Sequence, residues 1–415
     1  MSQVTEVYHR DNCRLCESRD VQLAVPLAPS AIADAYLPPE RAEASRTCYP
    51  RDLYLCHECG HAQLLDVVNP SLLFGDYTYR TSSSLGLVDH FRNYADAVHT
   101  MVHPSEDALA VDIGSNDGTL LRFLQGQGMR TLGVDPATQI ALEATASGIE
   151  TLPHFFSSTL ADDIVQGHGK AAIVAANNVF AHADDLGDIA TGVQKLLAAN
   201  GVFVFEVSYL VDIIDRLLFD TIFHEHLCYH SVKPLDRFLA AHGMQLIDVQ
   251  RVPTKGGSIR CFAQLASGPR PVAASVPQLL ASEAAHRMDT LAPFERFAVT
   301  IQTAKDSVQR ALDGLRASGT RVAGFGASAT VTTLLHDFDL AGPLEFLVDD
   351  NASKWGLLSP GQHLLVRAPQ CLADENIGCV VVLAWTYAAN IMKNHRDFQD
   401  RGGQFVVPLP VLGVH

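Results

Sequence analysis

The feature that most constrains the fold is the stretch of residues 108–121, in which an apolar run is followed by a glycine turn and a helix-forming segment. The apolar residues of 109–113 have the character of a buried strand in a parallel sheet. Gly114 and Gly118 enclose a short polar turn, and such a turn lets a ligand approach bare backbone near a helix N-terminus. The stretch therefore predicts the strand–turn–helix unit of a nucleotide-binding α/β fold.

A second predicted strand follows about twenty residues later and ends in Asp135, where such folds place an acid that accepts hydrogen bonds from ribose hydroxyls. The turn lacks the full Gly-x-Gly-x-x-Gly pattern of a pyrophosphate site, so an adenosine compound without a pyrophosphate fits better, and S-adenosylmethionine is the candidate cofactor. Strand–glycine–helix turns also occur in α/β cores that bind no ligand, and this stretch alone leaves that alternative open. The predicted cofactor-binding residues are Asp112, Gly114, Ser115, Asn116, Gly118, Asp135, Asn177 and Asn178.

The length and charge of the chain exclude several classes of protein. With 415 residues it is too long for one ordinary domain, so two or three are expected. The net charge of −16 argues against a nucleic acid partner, although a few local cations can still hold an anionic small ligand. No apolar run reaches about 18 residues, and the first residues do not form a signal peptide. We therefore expect a cytoplasmic protein without membrane contact; a monomer is the expected state.

Two Cys-x2-Cys pairs near the N-terminus form the most specific short motif. Cys13 and Cys16 make the first pair, and Cys56 and Cys59 make the second. Each pair presents two thiolates on one tight turn, and two such turns complete the tetrahedral shell of a structural zinc ion with no open position for catalysis. The nine cysteines, an odd number in a chain without an export signal, favour metal or free thiols over disulfides. Two coincidental pairs or a redox motif are the alternatives.

Beyond residue 70 the pattern is that of two successive α/β units. Predicted strands and helices alternate over residues 106–268 and end in two adjacent strands, which favours a doubly wound sheet with a reversed last strand. Residues 272–318 are predicted to be helical with a break near Pro293, and a second α/β unit follows. We predict an α/β protein with a zinc-binding module at 1–70, a Rossmann-like domain at 71–268, and a helical linker with a second Rossmann-like domain at 269–415.

Polar residues fall where strands of the first α/β unit end. Ligands of doubly wound sheets bind at the carboxyl ends of strands, so these residues should share one rim. They are Gly114, Asp135, Asn177, Asn178, His182 and Glu206. Tyr77 and Tyr79, in a hydroxyl-rich segment before the first strand of this unit, either line a polar pocket or pack in the ordinary way.

The segment of residues 219–231 holds the candidate catalytic groups, because it carries three histidines and two acids. If it is extended, His224 and His226 share one face while Glu225 points the other way. An imidazole of near-neutral pKa can remove a proton next to a carbonyl, and a nearby carboxylate can orient it. A general base, a second metal site and a structural polar cluster all remain open.

Several motifs occur in a fixed order along nearly the whole chain: the paired cysteines and residues 112–118, 177–182, 224–226, 256–260 and 324–328. In this combination the chain resembles the three-domain sugar C-methyltransferases that act on nucleotide-linked 4-keto-deoxysugars in antibiotic biosynthesis. The resemblance implies an N-terminal zinc module, a central S-adenosylmethionine domain, and a C-terminal Rossmann-like domain that helps to hold the nucleotide sugar.

The resemblance also implies roles for individual residues. A base forms an enolate next to the ketone, and the enolate attacks the methyl group of the sulfonium. By resemblance His226 is the base, Glu225 orients it, and His182 and Tyr77 stabilise the enolate oxygen. The candidate catalytic residues are His226, Glu225, His182, Tyr77, Tyr79 and His224. The candidate substrate-binding residues are Glu206, Phe223, Gly326 and Ser328, together with Lys255, Arg260 and Lys354, which are chosen for the diphosphate on charge alone.

Phe223 departs from the family, which usually carries a tyrosine immediately before His-Glu-His. The change removes a hydroxyl at nearly constant shape. Tyr77 or Tyr79 replaces it, or the acceptor differs, or the reaction has changed, or the residue was changed by engineering. The alternatives to sugar C-methylation are enolisation or epimerisation with the same ligands, a non-sugar ketone as acceptor, and a non-catalytic binding protein.

Overall fold

The computed structural model describes residues 6–45, 47–74, 80–83 and 86–415. Within these residues the strands form four sheets, of two, four, seven and six strands. Helices cover both faces of the larger sheets, so the predicted α/β class is confirmed. No helix in these ranges is both long enough and apolar enough to span a membrane.

The N-terminal region is built from short strands around the two cysteine turns. Its elements are β1 (Val7–His9), β2 (Val21–Val25), β3 (Leu53–Cys56), β4 (Ala62–Leu64), β5 (Asp66–Val68) and α1 (Pro70–Phe74), with a short 3₁₀ helix at Pro39–Ser45. β1 pairs with β5, while β2, β3 and β4 form an antiparallel sheet. Leu53 and Leu55 point to one face of β3, and they are buried in the same core as Cys13 and Cys56. This small core fixes the cysteine turns.

The central region contains the seven-stranded sheet and its helices. Its elements are α2 (Leu87–Val102), β6 (Leu109–Ile113), α3 (Thr119–Gly126), β7 (Arg130–Val134), α4 (Thr138–Ala146), β8 (Thr151–Leu152), α5 (Ser158–His168), β9 (Ala171–Asn177), α6 (Leu186–Leu196), β10 (Leu197–Ser208), α7 (Leu210–Asp215), β11 (Cys228–Tyr229), α8 (Val232–Ala241), β12 (Met244–Val252) and β13 (Ser258–Leu265). β11 lies outside the seven-stranded sheet, because it joins the sheet of the N-terminal region.

The order of the strands in the central sheet is β12-β13-β10-β9-β6-β7-β8. The five strands from β10 to β8 are parallel, and β13 runs antiparallel to β10 and β12. All five residues of β6 are buried, as expected for a parallel strand with helices on both faces of the sheet. Residues 253–257 are too few for a crossover helix between β12 and β13, so these strands pair antiparallel. The predicted doubly wound sheet with a reversed strand is confirmed.

The C-terminal region holds the six-stranded sheet. Its elements are α9 (Ser275–His286), α10 (Ala292–Ala317), β14 (Val322–Phe325), α11 (Ala329–Phe338), β15 (Leu347–Val348), β16 (Val366–Arg367), α12 (Cys371–Asp374), β17 (Cys379–Val382), α13 (Ala388–Asn394), α14 (Arg396–Asp400), β18 (Gln404–Val407) and β19 (Gly413–Val414). The order is β16-β15-β14-β17-β18-β19, and all neighbours are parallel except β18 and β19. Pro293 lies in the first turn of α10, where its missing N–H removes no helical hydrogen bond.

The three regions meet around the histidine-rich segment. β11, which follows this segment, pairs antiparallel with β4 of the N-terminal sheet. Arg51 of the N-terminal region is buried; it forms an ion pair with Asp337 of α11 and donates a hydrogen bond of 2.8 Å to the carbonyl of Ile222. The carbonyl of Asp220 accepts a hydrogen bond from Thr333 Oγ1 at 2.5 Å. These contacts fix the segment between all three regions, an arrangement that the sequence pattern did not predict.

Candidate active site

The four cysteines of the two N-terminal pairs come together as a metal-binding cluster. Their Sγ atoms all lie within 4.8 Å of one another, and the Cys13–Cys59 and Cys16–Cys56 sulfur pairs are each 3.6 Å apart. A tetrahedral zinc ion with Zn–S bonds of about 2.3 Å places its sulfur ligands about 3.8 Å apart, so the geometry fits zinc. Four thiolates fill the coordination shell and leave no open position, which makes the site structural.

A cavity of about 370 Å³ opens at the carboxyl ends of β6, β7 and β9. A volume of this size suits a small organic ligand or cofactor. It is lined by most of the predicted cofactor-binding residues. They are Asp112, Gly114, Ser115, Asn116, Asp135, Asn177 and Asn178, and His182 and Lys255 lie on the same wall. The structure therefore brings together side chains that we predicted to share one rim because each follows the end of a strand.

The glycine turn is shaped for a close approach of ligand to backbone. Gly114 has a φ of 69° and Gly118 a φ of 76°, a conformation that favours glycine. Asp135 braces the turn from the next strand: its Oδ2 accepts a hydrogen bond of 2.8 Å from the N–H of Asn116, and its Oδ1 accepts one of 2.9 Å from the N–H of Ala137. Each carboxylate oxygen keeps a second lone pair for a ribose hydroxyl.

Asp112 is a buried carboxyl that faces this cavity with unmet hydrogen-bonding capacity. Its Oδ1 is buried without a partner in the part of the chain that the structure describes. Burial, and secondarily the nearby charge of Asp135, raises the pKa of Asp112 to about 8. Because buried polar atoms are normally hydrogen-bonded, this oxygen favours a ligand with a polar group at this place in the cavity. Asn177 also lines this cavity, so its wall presents an amide beside the carboxyl of Asp112.

The histidine-rich segment forms a tight turn rather than an extended strand. The N–H of His226 donates to the carbonyl of Phe223 at 2.8 Å and closes the turn. As a consequence His224 and His226 point to different surroundings. The Nε2 of His224 donates to the carbonyl of Tyr49 at 3.1 Å in the buried interface with the N-terminal region. His226 instead lines a second, smaller cavity together with His182.

His226 is oriented so that one ring nitrogen can act as a base. Its Nδ1 donates a hydrogen bond of 2.8 Å to the carbonyl of Thr221, so in the neutral imidazole the lone pair is on Nε2. The ring stacks on His182 with centroids 5.0 Å apart. Burial, with a further contribution from the Lys255 cation, lowers the pKa of His226 to about 4. His226 is therefore neutral near pH 7.

A second cavity, of about 10 Å³, lies at His226 and adjoins the cofactor cavity. Asn178 and His182 line both spaces, while Thr221 and His226 line only the smaller one. The ring of Phe223 lies 4.1 Å from that of His226, centroid to centroid, and it presents no hydroxyl to this space. The small cavity has room for about one water molecule. A larger acceptor would therefore have to reach His226 from the cofactor cavity, past Asn178 and His182.

Glu225 and Lys255 flank the two histidines. Burial, with a contribution from the charge of Asp34, raises the pKa of Glu225 to about 7, and the Lys255 cation opposes this rise. In the part of the chain that the structure describes, Glu225 makes no hydrogen bond to His226. Lys255 has a φ of 53° in the loop between β12 and β13. Although the residue as a whole is exposed, desolvation lowers the pKa of its ammonium, and the carboxylates of Glu225 and Glu206 oppose this.

Two of the predicted substrate-binding residues pair with each other. Arg260 Nε donates to Glu206 Oε1 at 2.6 Å, and both residues are buried. His90 Nε2 donates to the other oxygen of Glu206 at 2.7 Å, and the Arg260 guanidinium lies over the ring of Tyr94 at 4.3 Å. The positive charge of Arg260 is therefore neutralised inside the sheet. The prediction that Arg260 holds a diphosphate was based on its charge alone, and Glu206 already neutralises that charge.

The remaining predicted residues lie in the C-terminal region or outside the described chain. Gly326 has a φ of 122° after β14, and Ser328 caps α11 by accepting a hydrogen bond from Val331 at 3.4 Å. Lys354 forms an ion pair with Asp34 at 2.8 Å. Tyr77 and Tyr79 fall outside the described residues. The described chain resumes at residue 80, and the N–H groups of Thr81 and Ser82 donate to the side chains of Asn116 and Asp117, each at 2.9 Å.

Sequence reasoning missed two groups that shape this site. Asp184 lines the cofactor cavity and accepts hydrogen bonds from the N-terminal region. The only signal for it in the sequence is its position two residues after His182. The carbonyl of Thr221 orients His226, and a backbone group carries no signal in the sequence.

Three domain families match successive parts of the chain. A proposed zinc-binding domain matches residues 13–74, a methyltransferase domain matches 88–249, and a C-methyltransferase C-terminal domain matches 253–410. The C-methyltransferase NovU of Streptomyces niveus is 32% identical over 401 residues, which is 96% of this chain and 96% of NovU. The chain belongs to the C-methyltransferase family. This C-methyltransferase is an enzyme, so the alternative of a non-catalytic binding protein is wrong.

Membership of this family identifies the cofactor and the metal ion that fit the geometry of the two sites. The cofactor of this C-methyltransferase is S-adenosylmethionine, and the buried Oδ1 of Asp112, which has no partner in the described chain, suits a polar group of such a ligand. The four-cysteine cluster holds a structural zinc ion. Both predicted cofactors are thereby confirmed.

Solved structures with similar folds include other methyltransferases. The magnesium protoporphyrin IX methyltransferase of Synechocystis PCC 6803 with bound S-adenosylhomocysteine is 16% identical, has a TM-score of 0.34, and covers 46% of this chain and 90% of its own. The 1,6-didemethyltoxoflavin-N1-methyltransferase of Burkholderia thailandensis is 15% identical, has a TM-score of 0.35, and covers 49% of this chain and 95% of its own.

Proposed function

We propose that this C-methyltransferase methylates the carbon next to the ketone of a nucleotide-linked 4-keto-deoxysugar, with thymidine diphosphate as the nucleotide, in antibiotic deoxysugar biosynthesis. The observation that carries the proposal is the arrangement of His226. Its Nε2 lone pair and the stacked ring of His182 lie in a small space that adjoins the cofactor cavity. The resemblance to sugar C-methyltransferases supports this substrate class, and the match to the C-methyltransferase NovU supports methylation at carbon.

In the proposed reaction His226 acts as the general base. The ketone acidifies the neighbouring carbon, and Nε2 takes a proton from it, so that the electrons of the broken C–H bond form an enolate. The hydrogen bond from Nδ1 to the carbonyl of Thr221 holds the ring in the required tautomer and stabilises the imidazolium that forms. Asp112, Gly114 and Asp135 would hold S-adenosylmethionine, which would supply the electrophilic methyl group for the enolate carbon and leave as S-adenosylhomocysteine.

The surroundings of His226 keep it in the unprotonated form that a base needs at neutral pH, although the low pKa of the free ring makes it a weak base before the substrate binds. The pKa of His226 is lowered to about 4 by burial, and burial also lowers the pKa of His182 well below its usual value. Both rings are therefore neutral before the substrate binds. A negatively charged enolate beside them favours their charged forms, so His226 becomes a stronger base as the reaction proceeds. His182, the Lys255 cation and Tyr77 are the proposed stabilisers of the enolate oxygen.

For the nucleotide end of the substrate we propose the C-terminal region. Gly326 and Ser328 lie at the end of β14 and the start of α11, where backbone N–H groups can meet a phosphate. Lys354 pairs with Asp34, whose charge also acts on Glu225. Lys354 suits a diphosphate better than Arg260, because the side chain of its partner Asp34 is half exposed, whereas Arg260 and its partner Glu206 are both buried. The domain boundaries at residues 70 and 268, the cytoplasmic location and the monomeric state stay predictions.

A second candidate function rests on Phe223. Its ring packs against His226 where the resembled family usually carries a tyrosine, so a hydroxyl is missing next to the base. Without it the enzyme would enolise or epimerise the sugar, or accept a different ketone. Solvent deuterium that enters the sugar without methylation would support this alternative, whereas a methylated product would support the first.

The test is a methyl-transfer assay with dTDP-4-keto-deoxysugars and S-adenosylmethionine, followed by mass spectrometry of the product. The variant His226→Asn should lose turnover by a factor of at least about 10², as expected for removal of a general base. It should still bind S-adenosylhomocysteine in calorimetric titration, because the ring lines only the smaller cavity. Near-normal rates for His226→Asn would refute the assignment of the base.

The matched control is His224→Asn in the same turn. His224 is buried against Tyr49 and faces neither cavity, so this change should lower stability and leave the rate per folded molecule near that of the wild type. Similar loss of rate in both variants would mean that the turn itself, and not the His226 imidazole, is what the reaction needs.

A further inference from the structure

An arginine inside the first zinc turn connects the metal site to the active site. Arg14 lies between the two cysteines of this turn, and its side chain is buried. Its Nη1 donates to Gln63 Oε1 at 3.1 Å and to the carbonyl of Leu64 in β4. Its Nε donates to the carboxylate of Asp184 at 2.8 Å. One guanidinium thus joins the zinc turn, the N-terminal sheet and a residue of the cofactor cavity.

Asp184, which lies two residues after His182, accepts hydrogen bonds from several side chains of the N-terminal region. Besides Arg14, its Oδ1 accepts a hydrogen bond from Arg10 Nη1 at 3.2 Å, and its Oδ2 accepts one from the hydroxyl of Tyr8. Arg10 Nη1 also donates to the backbone carbonyl of Asp184 at 3.1 Å. Three side chains of the zinc-bearing region therefore hold one carboxylate in the wall of the cofactor cavity.

The same region also holds the loop that carries His226. The N–H of Leu64 donates to the carbonyl of Leu227 at 2.9 Å, immediately after the proposed base. The N–H of Cys228 donates to the carbonyl of Ala181 at 3.0 Å, immediately before His182. β4, which accepts the Arg14 hydrogen bond, is therefore attached directly to the His226 loop and, through its pairing with Cys228 of β11, to the His182 loop. The position of the stacked His182 and His226 rings depends on it.

We propose that Arg14 is a positioning residue of the active site: through Asp184 and β4 it holds the His182 and His226 loops in register with the cofactor cavity. The zinc site fixes the turn that carries Arg14, so the metal acts on the geometry of catalysis as well as on stability. The part that concerns the two histidines rests on the proposed function.

Even a small displacement of the two histidine loops is expected to lower the catalytic rate strongly. A displacement of reacting groups by about 1 Å can lower a rate by about 10²-fold. Arg14→Lys keeps the charge, but a single ammonium cannot reproduce the fixed fork of donors that a guanidinium presents. It should lower kcat about 10- to 100-fold. Tyr8→Phe removes one of the donors to Asp184 and should have a smaller effect in the same direction.

The experiment compares Arg14→Lys and Tyr8→Phe with the control Arg19→Met, each as the zinc-loaded full-length chain. Arg19 belongs to the same region, and its ion pair with Asp11 is exposed, so its loss should change nothing at the active site. Zinc content and melting temperature report folding, and calorimetric titration reports S-adenosylhomocysteine affinity. Hydrogen exchange over residues 178–186 and 224–230 reports the two loops directly.

The proposal expects faster exchange in both loops of Arg14→Lys, at an unchanged zinc content and with the lower kcat. Exchange and S-adenosylhomocysteine binding need no acceptor, so they test the role of Arg14 even where no nucleotide sugar is turned over. Failure of the wild type to methylate any 4-keto-sugar would count against the proposed function alone. Wild-type exchange in both loops of Arg14→Lys and Tyr8→Phe would overturn the role proposed for Arg14.

Discussion

Replacement of Gly114 by alanine should weaken cofactor binding through a specific collision. A Cβ at this position would lie 2.2 Å from Cγ2 of Val179. Carbon atoms in contact lie about 3.5–4.0 Å apart, so the new methyl group and Val179 must separate by at least about 1.3 Å. Both residues line the cofactor cavity, and the displacement therefore changes the shape of the cavity itself.

Two terms contribute to the cost of this substitution. The φ of Gly114 is 69°, and a left-handed conformation costs a residue with a side chain about 1–2 kcal/mol. Relief of the collision adds about 1–3 kcal/mol, as is usual for an overpacked site. Where the displaced groups take up space in the cavity, the ligand must move them away again when it binds. The affinity for S-adenosylhomocysteine should then fall by about 10-fold or more, because about 1.4 kcal/mol corresponds to a factor of ten.

Calorimetric titration with S-adenosylhomocysteine and thermal unfolding separate the two terms. Gly148→Ala is the control for the backbone term, because Gly148 has a φ of 91° and, apart from its two chain neighbours, no residue of the described chain has a heavy atom within 4 Å of its Cβ position. Val179→Ala removes the colliding atom, so the double variant Gly114→Ala/Val179→Ala should recover affinity relative to Gly114→Ala. Wild-type affinity in Gly114→Ala, or no recovery in the double variant, would refute the reasoning.

Two further predictions concern the zinc site and the buried carboxyl of Asp112. Cys13→Ser and Cys56→Ser should each lose zinc and lower the apparent melting temperature, because the small N-terminal core depends on the metal; elemental analysis with calorimetry measures both, and full zinc content would contradict this. The folded chain keeps a proton on Asp112 between about pH 4 and about pH 8 that the unfolded chain releases, so Asp112 makes the fold less stable as pH rises through this window. Asp112→Asn should gain stability relative to the wild type by up to about 1.4 kcal/mol per pH unit there, and a urea-unfolding difference that is independent of pH would rule this out.

The local motifs can be predicted from the sequence because each is set by a few neighbouring residues. Cys-x2-Cys spacing places two thiolates on one turn, so the spacing predicts the four zinc ligands, and the clustering of their sulfur atoms excludes a coincidental pair. The glycine turn after β6 is recognisable for the same reason, since its φ values demand glycine at positions 114 and 118. Alternation of strands and helices, with one short connection near the end, is enough to predict the reversed strand β13.

The partners of charged and polar side chains cannot be predicted in this way. A count of cations suggests Arg260 for a diphosphate, yet Glu206, which is 54 residues away in the chain, neutralises it. An extended His-Glu-His segment would place His224 and His226 on one face. The hydrogen bond from the His226 N–H to the Phe223 carbonyl makes the segment a turn instead, and the two rings separate.

The sequence by itself determined the class of fold and predicted the zinc ligands and the cofactor turn, because covalent spacing and hydrophobic pattern act over short stretches of chain. Only the tertiary structure decided which atom orients His226, which charges are neutralised, and how Arg14 reaches Asp184, 170 residues further on. These depend on burial and on contacts between distant segments. A side chain's pKa and partner are fixed by its surroundings in the folded molecule, and packing brings those surroundings together from all three regions.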